Sequence, residues 1–119
     1  MKAFLRSFRF AFAGIGYALR TQRNARVHAV VACLVVAAGI YLRISAVEWA
    51  VLALTIGFVF SAEMINTVAE LAVDLLTQQY HPVAKVAKDV GAGAVLVAAI
   101  AALGVGVAIF GPRVWAMLR

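Results

Sequence analysis

The chain has 119 residues, 66% of them hydrophobic and only 13% charged, with a formal net charge of +6 at pH 7. A mean hydropathy of +1.00 excludes an ordinary soluble domain, and the single cysteine, Cys33, excludes a disulfide or cysteine–metal framework within one chain. The class that remains is an all-α integral membrane protein.

Residues 1–26 mix aromatics with Lys2, Arg6, Arg9, Arg20, Arg23 and Arg26, without the apolar core and small-residue site of a cleaved signal peptide. Six of the eleven basic residues crowd here, beside membrane spans. Attraction to anionic lipid head groups accounts for them more simply than nucleic acid, so no nucleic-acid partner is expected. On a helical wheel Phe4, Leu5, Phe8, Phe12, Ile15 and Leu19 fall between about 0° and 100°, and Lys2, Arg6, Arg9 and Arg20 between about 140° and 200°. The pattern predicts an N-terminal amphipathic surface helix over 2–20. It is either a positive-inside anchor alone or one that also lines an active site at the interface.

A first transmembrane helix is predicted over 27–43, with His28 and Arg43 at its two ends. Ser45 then stands three residues before Glu48, the spacing of a capping box, and Trp49 suits the adjoining interface. The second helix is predicted over 46–76, about 45 Å at 1.5 Å per residue. That exceeds the hydrocarbon, so its last turns should leave the bilayer. Residues 77–82 break it, Pro82 suits the first position of the next helix, and a third span follows over 83–111. Gly91, Gly93, Ala94 and Ala98 form a small-residue face that permits close helix approach; the Gly-x-x-x-x-Gly-Lys pattern of a phosphate loop is absent. The excess of basic residues before the first span and at Lys85 and Lys88 predicts a cytoplasmic amino terminus and second loop, with the carboxyl terminus outside.

The second helix carries Glu63, Asn66, Glu70 and Asp74, three of the five acidic residues among them. At 100° per residue these lie near about 0°, 300°, 340° and 20°, one stripe of an otherwise apolar helix. Ionisable groups on such a span are costly in lipid and mark a functional site. Magnesium prefers carboxylate and phosphate oxygens, and phosphoryl transfer needs charge neutralisation, a positioned nucleophile and cations on the nucleotide. Helix two offers the carboxylates and Lys88 the cation. Glu63 and Glu70 stand about 10 Å apart along the axis, too far for both to grip one ion. The deeper Glu63 should meet a lipid hydroxyl, and Glu70 a water-soluble nucleotide with its metal.

The run Glu63-Met-Ile-Asn66-Thr-Val-Ala-Glu70-Leu-Ala-Val-Asp74, with Glu48-Trp49, Tyr80-His81-Pro82, Lys88-Asp89-Val-Gly-Ala-Gly and the earlier Arg23-Asn24 and His28, resembles the prokaryotic diacylglycerol kinase family. The resemblance covers nearly the whole chain and is greatest to the Gram-positive type, whose members phosphorylate undecaprenol. It implies a homotrimer of three-span protomers in the bacterial inner membrane, with cytoplasmic active sites at subunit boundaries that use ATP and magnesium (Mg2+) to phosphorylate a membrane lipid alcohol. By it Glu63 is the general base, Glu70 the principal metal ligand, Asn66 a positioning group, and Lys88 with Asp89 part of the nucleotide site. Asp74 matches a motif position and is either a nucleotide-site residue or a solvated charge. Gln22 stands where the family commonly has an acidic metal ligand; its amide oxygen can contact magnesium but brings no charge.

Two other readings fit the stripe. One is a non-enzymatic, oligomeric cation pathway or transporter, which leaves Lys88 and Asp89 without a task. The other is a family member inactivated by Gln22. His28 is read as an interfacial hydrogen-bonding residue, Cys33 as a packing or lipid contact, and His81 as loop structure.

Overall fold

The computed structural model describes residues 1–119 as four helices and no strand: α1 (Lys2–Thr21), α2 (Arg23–Leu42), α3 (Ala46–Leu76) and α4 (Pro82–Leu118). Helices α2, α3 and α4 are each long and apolar enough to cross a membrane.

Each junction has a local chemical cause. Gln22 is extended (φ −106°, ψ 114°) and separates α1 from α2. Just beyond it, Arg26 donates from Nη1 to the carbonyls of Leu19 (3.2 Å) and Arg20 (2.8 Å), satisfying acceptors that a helix end leaves open. Helix α2 ends in a Schellman arrangement: Arg43 is left-handed (φ 53°, ψ 55°), its N–H bonds the Ile40 carbonyl, and the Ile44 N–H bonds that of Gly39. The expected capping box is present. Ser45 Oγ accepts from the Glu48 N–H (3.2 Å), and Glu48 Oε1 accepts from the Ser45 N–H (3.0 Å). Pro82 opens α4, where His81, read above as loop, caps the helix by accepting the Val83 N–H on Nδ1 (3.2 Å).

The helices outrun the apolar segments seen in the sequence. Helix α2 begins at Arg23, so Arg23 and Arg26 are helical, and α4 continues through Pro112 to Leu118. Beyond Pro112, Arg113 bonds the Ile109 carbonyl (2.9 Å) and both carboxylate oxygens of Glu48 (2.5 and 2.6 Å), tying the last turns of α4 to the first turn of α3.

Helices α3 and α4 form a long antiparallel hairpin across the short connection 77–81, and α2 lies against it more loosely. The pair Glu48–Arg113 closes one end and Asp74–Lys88 the other. From Glu48 to Asp74 the helix advances roughly 39 Å at 1.5 Å per residue, more than a hydrocarbon core of about 30 Å. Both ion pairs can therefore sit at polar interfaces.

Only 12 of 119 residues are buried, too few to stabilise a chain in water by its own core. Ile44, Leu52 and Ile109 form a small apolar cluster near the Glu48–Arg113 end, with Trp49 and Phe110 against it. The largest fully buried side chain is a carboxylate, that of Glu63.

Candidate functional site

The acidic stripe of α3 is shared between two neighbouring helices. Glu63, only 2% exposed, faces α2, where the Nε2 of His28 lies 3.5 Å from its Oε1. That separation is longer than a formed hydrogen bond, and Oε1 has no other partner. One turn on, Thr67 donates from Oγ1 to the Glu63 carbonyl (2.9 Å), which seats that hydroxyl within α3.

Asn66 is buried and faces α4 at Gly91. A methyl group on Gly91 would collide with Asn66 Oδ1, so glycine there lets α4 approach with Asn66 in its present orientation. Of the predicted small-residue face, Gly91 and the fully buried Ala98 lie at packed positions, whereas a Cβ on Gly93 would meet open space. Asn66 Nδ2 points to Glu70 Oε1 at 3.4 Å, while Oδ1 is buried without a hydrogen-bond partner. Buried amide oxygens are rarely left so, which makes Oδ1 an acceptor awaiting a donor or a cation.

Asp74 is the next stripe residue toward the connection, and its Oδ1 takes a 2.6 Å bond from Lys88 Nζ. Lys88 and Asp89, adjacent in sequence, therefore have different partners. Asp89 is bonded by Lys85 Nζ at 2.6 Å along the same helix and stays exposed. Gln22 lies half-buried at the α1–α2 bend, and its side chain makes no hydrogen bond within the chain. The structure thus joins Asn66 to Glu70 and Asp74 to Lys88, and keeps Glu63 and Asp89 with partners of their own.

No three His, Cys, Asp or Glu side chains cluster as a metal cage. Magnesium does not need one, because it typically takes one or two carboxylates, keeps waters and completes its shell with phosphate oxygens. Glu70 and the neighbouring unpartnered Asn66 Oδ1 offer hard oxygen donors of the kind that ion takes.

Sequence reasoning missed the place of His28 beside Glu63. The available signal was its level: α2 and α3 are joined by a short turn, and a polar residue near the start of one span falls opposite the later part of the next. An apolar groove of about 650 Å³ begins at the same residue. It runs between α2, α3 and α4, past Val35, Ile56 and Leu103, to Val114 near the far end.

The family model described as prokaryotic diacylglycerol kinase matches residues 9–110. An undecaprenol kinase of Bacillus subtilis is 43% identical over 113 residues, 95% of this chain and 92% of that protein. A diacylglycerol kinase of Synechocystis is 52% identical over 101 residues, 84% of this chain but only 58% of that longer protein.

Proposed function

The chain belongs to the prokaryotic diacylglycerol kinase family, and we propose that it is an ATP-dependent lipid kinase that phosphorylates the hydroxyl of a membrane lipid alcohol, undecaprenol or diacylglycerol. The observation that carries the reading is the buried Glu63 carboxylate, with one oxygen unpartnered, 3.5 Å from His28, which lines the end of an apolar groove. A lipid tail along that groove would bring its hydroxyl to the one carboxylate withdrawn from water. Undecaprenol, a long linear chain of methyl-bearing isoprene units, suits an elongated groove that reaches Val114.

In this reading Glu63 Oε1 accepts the hydroxyl proton as the lipid oxygen forms a bond to the γ-phosphorus. The bond from that phosphorus to the β–γ bridging oxygen breaks, and ADP leaves with the electron pair. Asn66 holds Glu70 in place through Nδ2. Lys88 would exchange Asp74 for the phosphates of ATP, Asp74 keeping the ammonium extended toward them meanwhile, and Asp89 borders the nucleotide. Glu70, with Gln22, would hold magnesium, which when bound neutralises the charge on the β- and γ-phosphoryl oxygens.

The setting we propose is the bacterial inner membrane, with the amino terminus, the surface-lying α1 and the active site cytoplasmic and the carboxyl terminus outside. The basic residues of α1, Lys85 and Lys88 support that orientation. The homotrimer rests on the family resemblance; the wide apolar faces, with Leu54 75% exposed, leave surface for lipid and for subunits alike.

The test is transfer of labelled γ-phosphate from ATP to undecaprenol and to diacylglycerol, side by side, by purified protein with and without magnesium. Product that requires magnesium establishes the kinase, and the ratio of the two products identifies the acceptor. No product from either lipid, with the protein folded and oligomeric, would defeat the proposal.

A further inference from the structure

A base that takes a proton at every turnover must also lose it. Glu63 is 2% exposed and its Oε1 is buried without a hydrogen-bond partner, so that oxygen has no direct contact with water. Of the titratable groups around it, one lies beside that oxygen. From α2, His28 presents Nε2 at 3.5 Å, and its side chain is 22% exposed against 2% for Glu63. From α3 itself Glu70 lies about 10 Å along the axis, engaged by Asn66. On α4 the nearest cation, Lys88, is held by Asp74. At the end of α1, Arg20 is bonded through Nε to the Gly16 carbonyl.

We propose that His28 is the proton exit of Glu63: it accepts the proton that the carboxylate takes from the lipid hydroxyl and hands it to solvent. After transfer Glu63 is a neutral acid. The Nε2 lone pair of neutral His28 takes its proton, regenerating the carboxylate, and the imidazolium then releases one proton to buffer at its exposed edge. No oxidant or further reactant is needed. The closing of 3.5 Å to hydrogen-bond distance requires only a side-chain adjustment, and catalytic contacts commonly tighten once substrate is bound. His28 thus acts through Glu63, which it also orients, and not on the substrate.

The inference rests on Glu63 being the base, and the experiment separates the two. H28A, H28N and E63Q are purified in detergent, checked for helix content and oligomer size, and assayed for lipid phosphorylation across pH with and without added imidazole. Expected for H28A is a fall in kcat of about 10²-fold, the lower range for loss of a proton-transfer group, with KM for ATP unchanged. Added imidazole restores part of the rate, more so at higher pH, where more of it is neutral. H28N, which fills similar space but cannot accept a proton, stays slow and is rescued by imidazole less well than H28A, whose cavity admits it. Full activity in H28A, or full activity in H28N without imidazole, overturns the exit while leaving Glu63 as base. Normal turnover by E63Q overturns the base reading itself. Should H28A not fold, H28N carries the comparison alone, and a wild-type kcat in it without imidazole would refute the proposal.

Discussion

Two glycines in this chain should fail in opposite ways when a methyl group is added. At Gly39 the new Cβ would lie 2.8 Å from Trp49 Cη2 and 3.1 Å from Ile44 Cδ1, atoms of a ring and a side chain wedged into the apolar cluster. Neither can yield cheaply, and such overpacking costs about 1–3 kcal/mol. Alanine recovers about 0.8–1.0 kcal/mol of helix propensity, so Gly39→Ala should be net destabilising by up to about 2 kcal/mol. At Gly91 the obstacle is Asn66 Oδ1, the far end of a side chain, with the Asn66 Cα at an ordinary 3.9 Å. The cheap response is rotation of Asn66, at about 0.5–1.5 kcal/mol if it leaves its rotamer, close to what the alanine returns. Stability should change little. Rotation, however, withdraws Nδ2 from Glu70 and moves the one buried amide oxygen of the site. Thermal unfolding followed by circular dichroism in detergent, paired with the phosphoryl-transfer assay, reads both effects. Gly39→Ala should lower the midpoint and keep activity at permissive temperature, while Gly91→Ala should keep the midpoint and lose at least tenfold in rate. If Gly91→Ala were fully active, or the less stable of the two, Asn66 would not be held in place by the approach of α4.

Glu63→Gln should abolish turnover and spare nucleotide binding, whereas Glu70→Gln should also weaken magnesium-dependent ATP binding; isothermal titration alongside turnover decides, and equal loss of binding in both would end this division of labour. Lys88→Met, which removes the 2.6 Å partner of Asp74, should raise KM for ATP about tenfold or more with little effect on the lipid KM, and an unchanged ATP KM would take Lys88 out of the nucleotide site. Gln22→Glu should lower the magnesium concentration for half-maximal rate several-fold, since a carboxylate brings the charge that an amide lacks; an unaltered magnesium dependence would remove Gln22 from the ligand set.

What was legible in the sequence follows from how far apart the cooperating residues lie. Helix ends were readable because their chemistry is local: Ser45 and Glu48 three residues apart, and Pro82 opening α4. The acidic stripe was readable because helical periodicity alone aligns positions 63, 66, 70 and 74. What each stripe residue faces was not, because that depends on how neighbouring helices are turned about their own axes. A wheel drawn for α3 cannot say that Glu63 looks toward α2 while Asn66 and Asp74 look toward α4. The Glu48–Arg113 pair was within reach, since a hairpin with a short connection must bring the start of α3 to the end of α4. The expected third span stops at residue 111, short of the arginine that continues the helix beyond Pro112.

That division of the stripe has a mechanistic consequence. The α3–α4 hairpin is pinned at both ends by ion pairs and in between by Gly91 against Asn66, so Asn66, Asp74 and Lys88 belong to one stiff unit, and Glu70 is attached to it through Asn66. Glu63 is the exception. Its only titratable neighbour across a helix interface is on α2, which packs more loosely and borders the groove. In the proposed kinase the nucleotide side is therefore fixed in advance, and the variable distance is the one between His28 and Glu63, where a lipid entering between α2 and the hairpin would act. A substrate tail that draws α2 closer would tighten the same contact through which the base is reset, coupling occupancy of the groove to competence of the carboxylate.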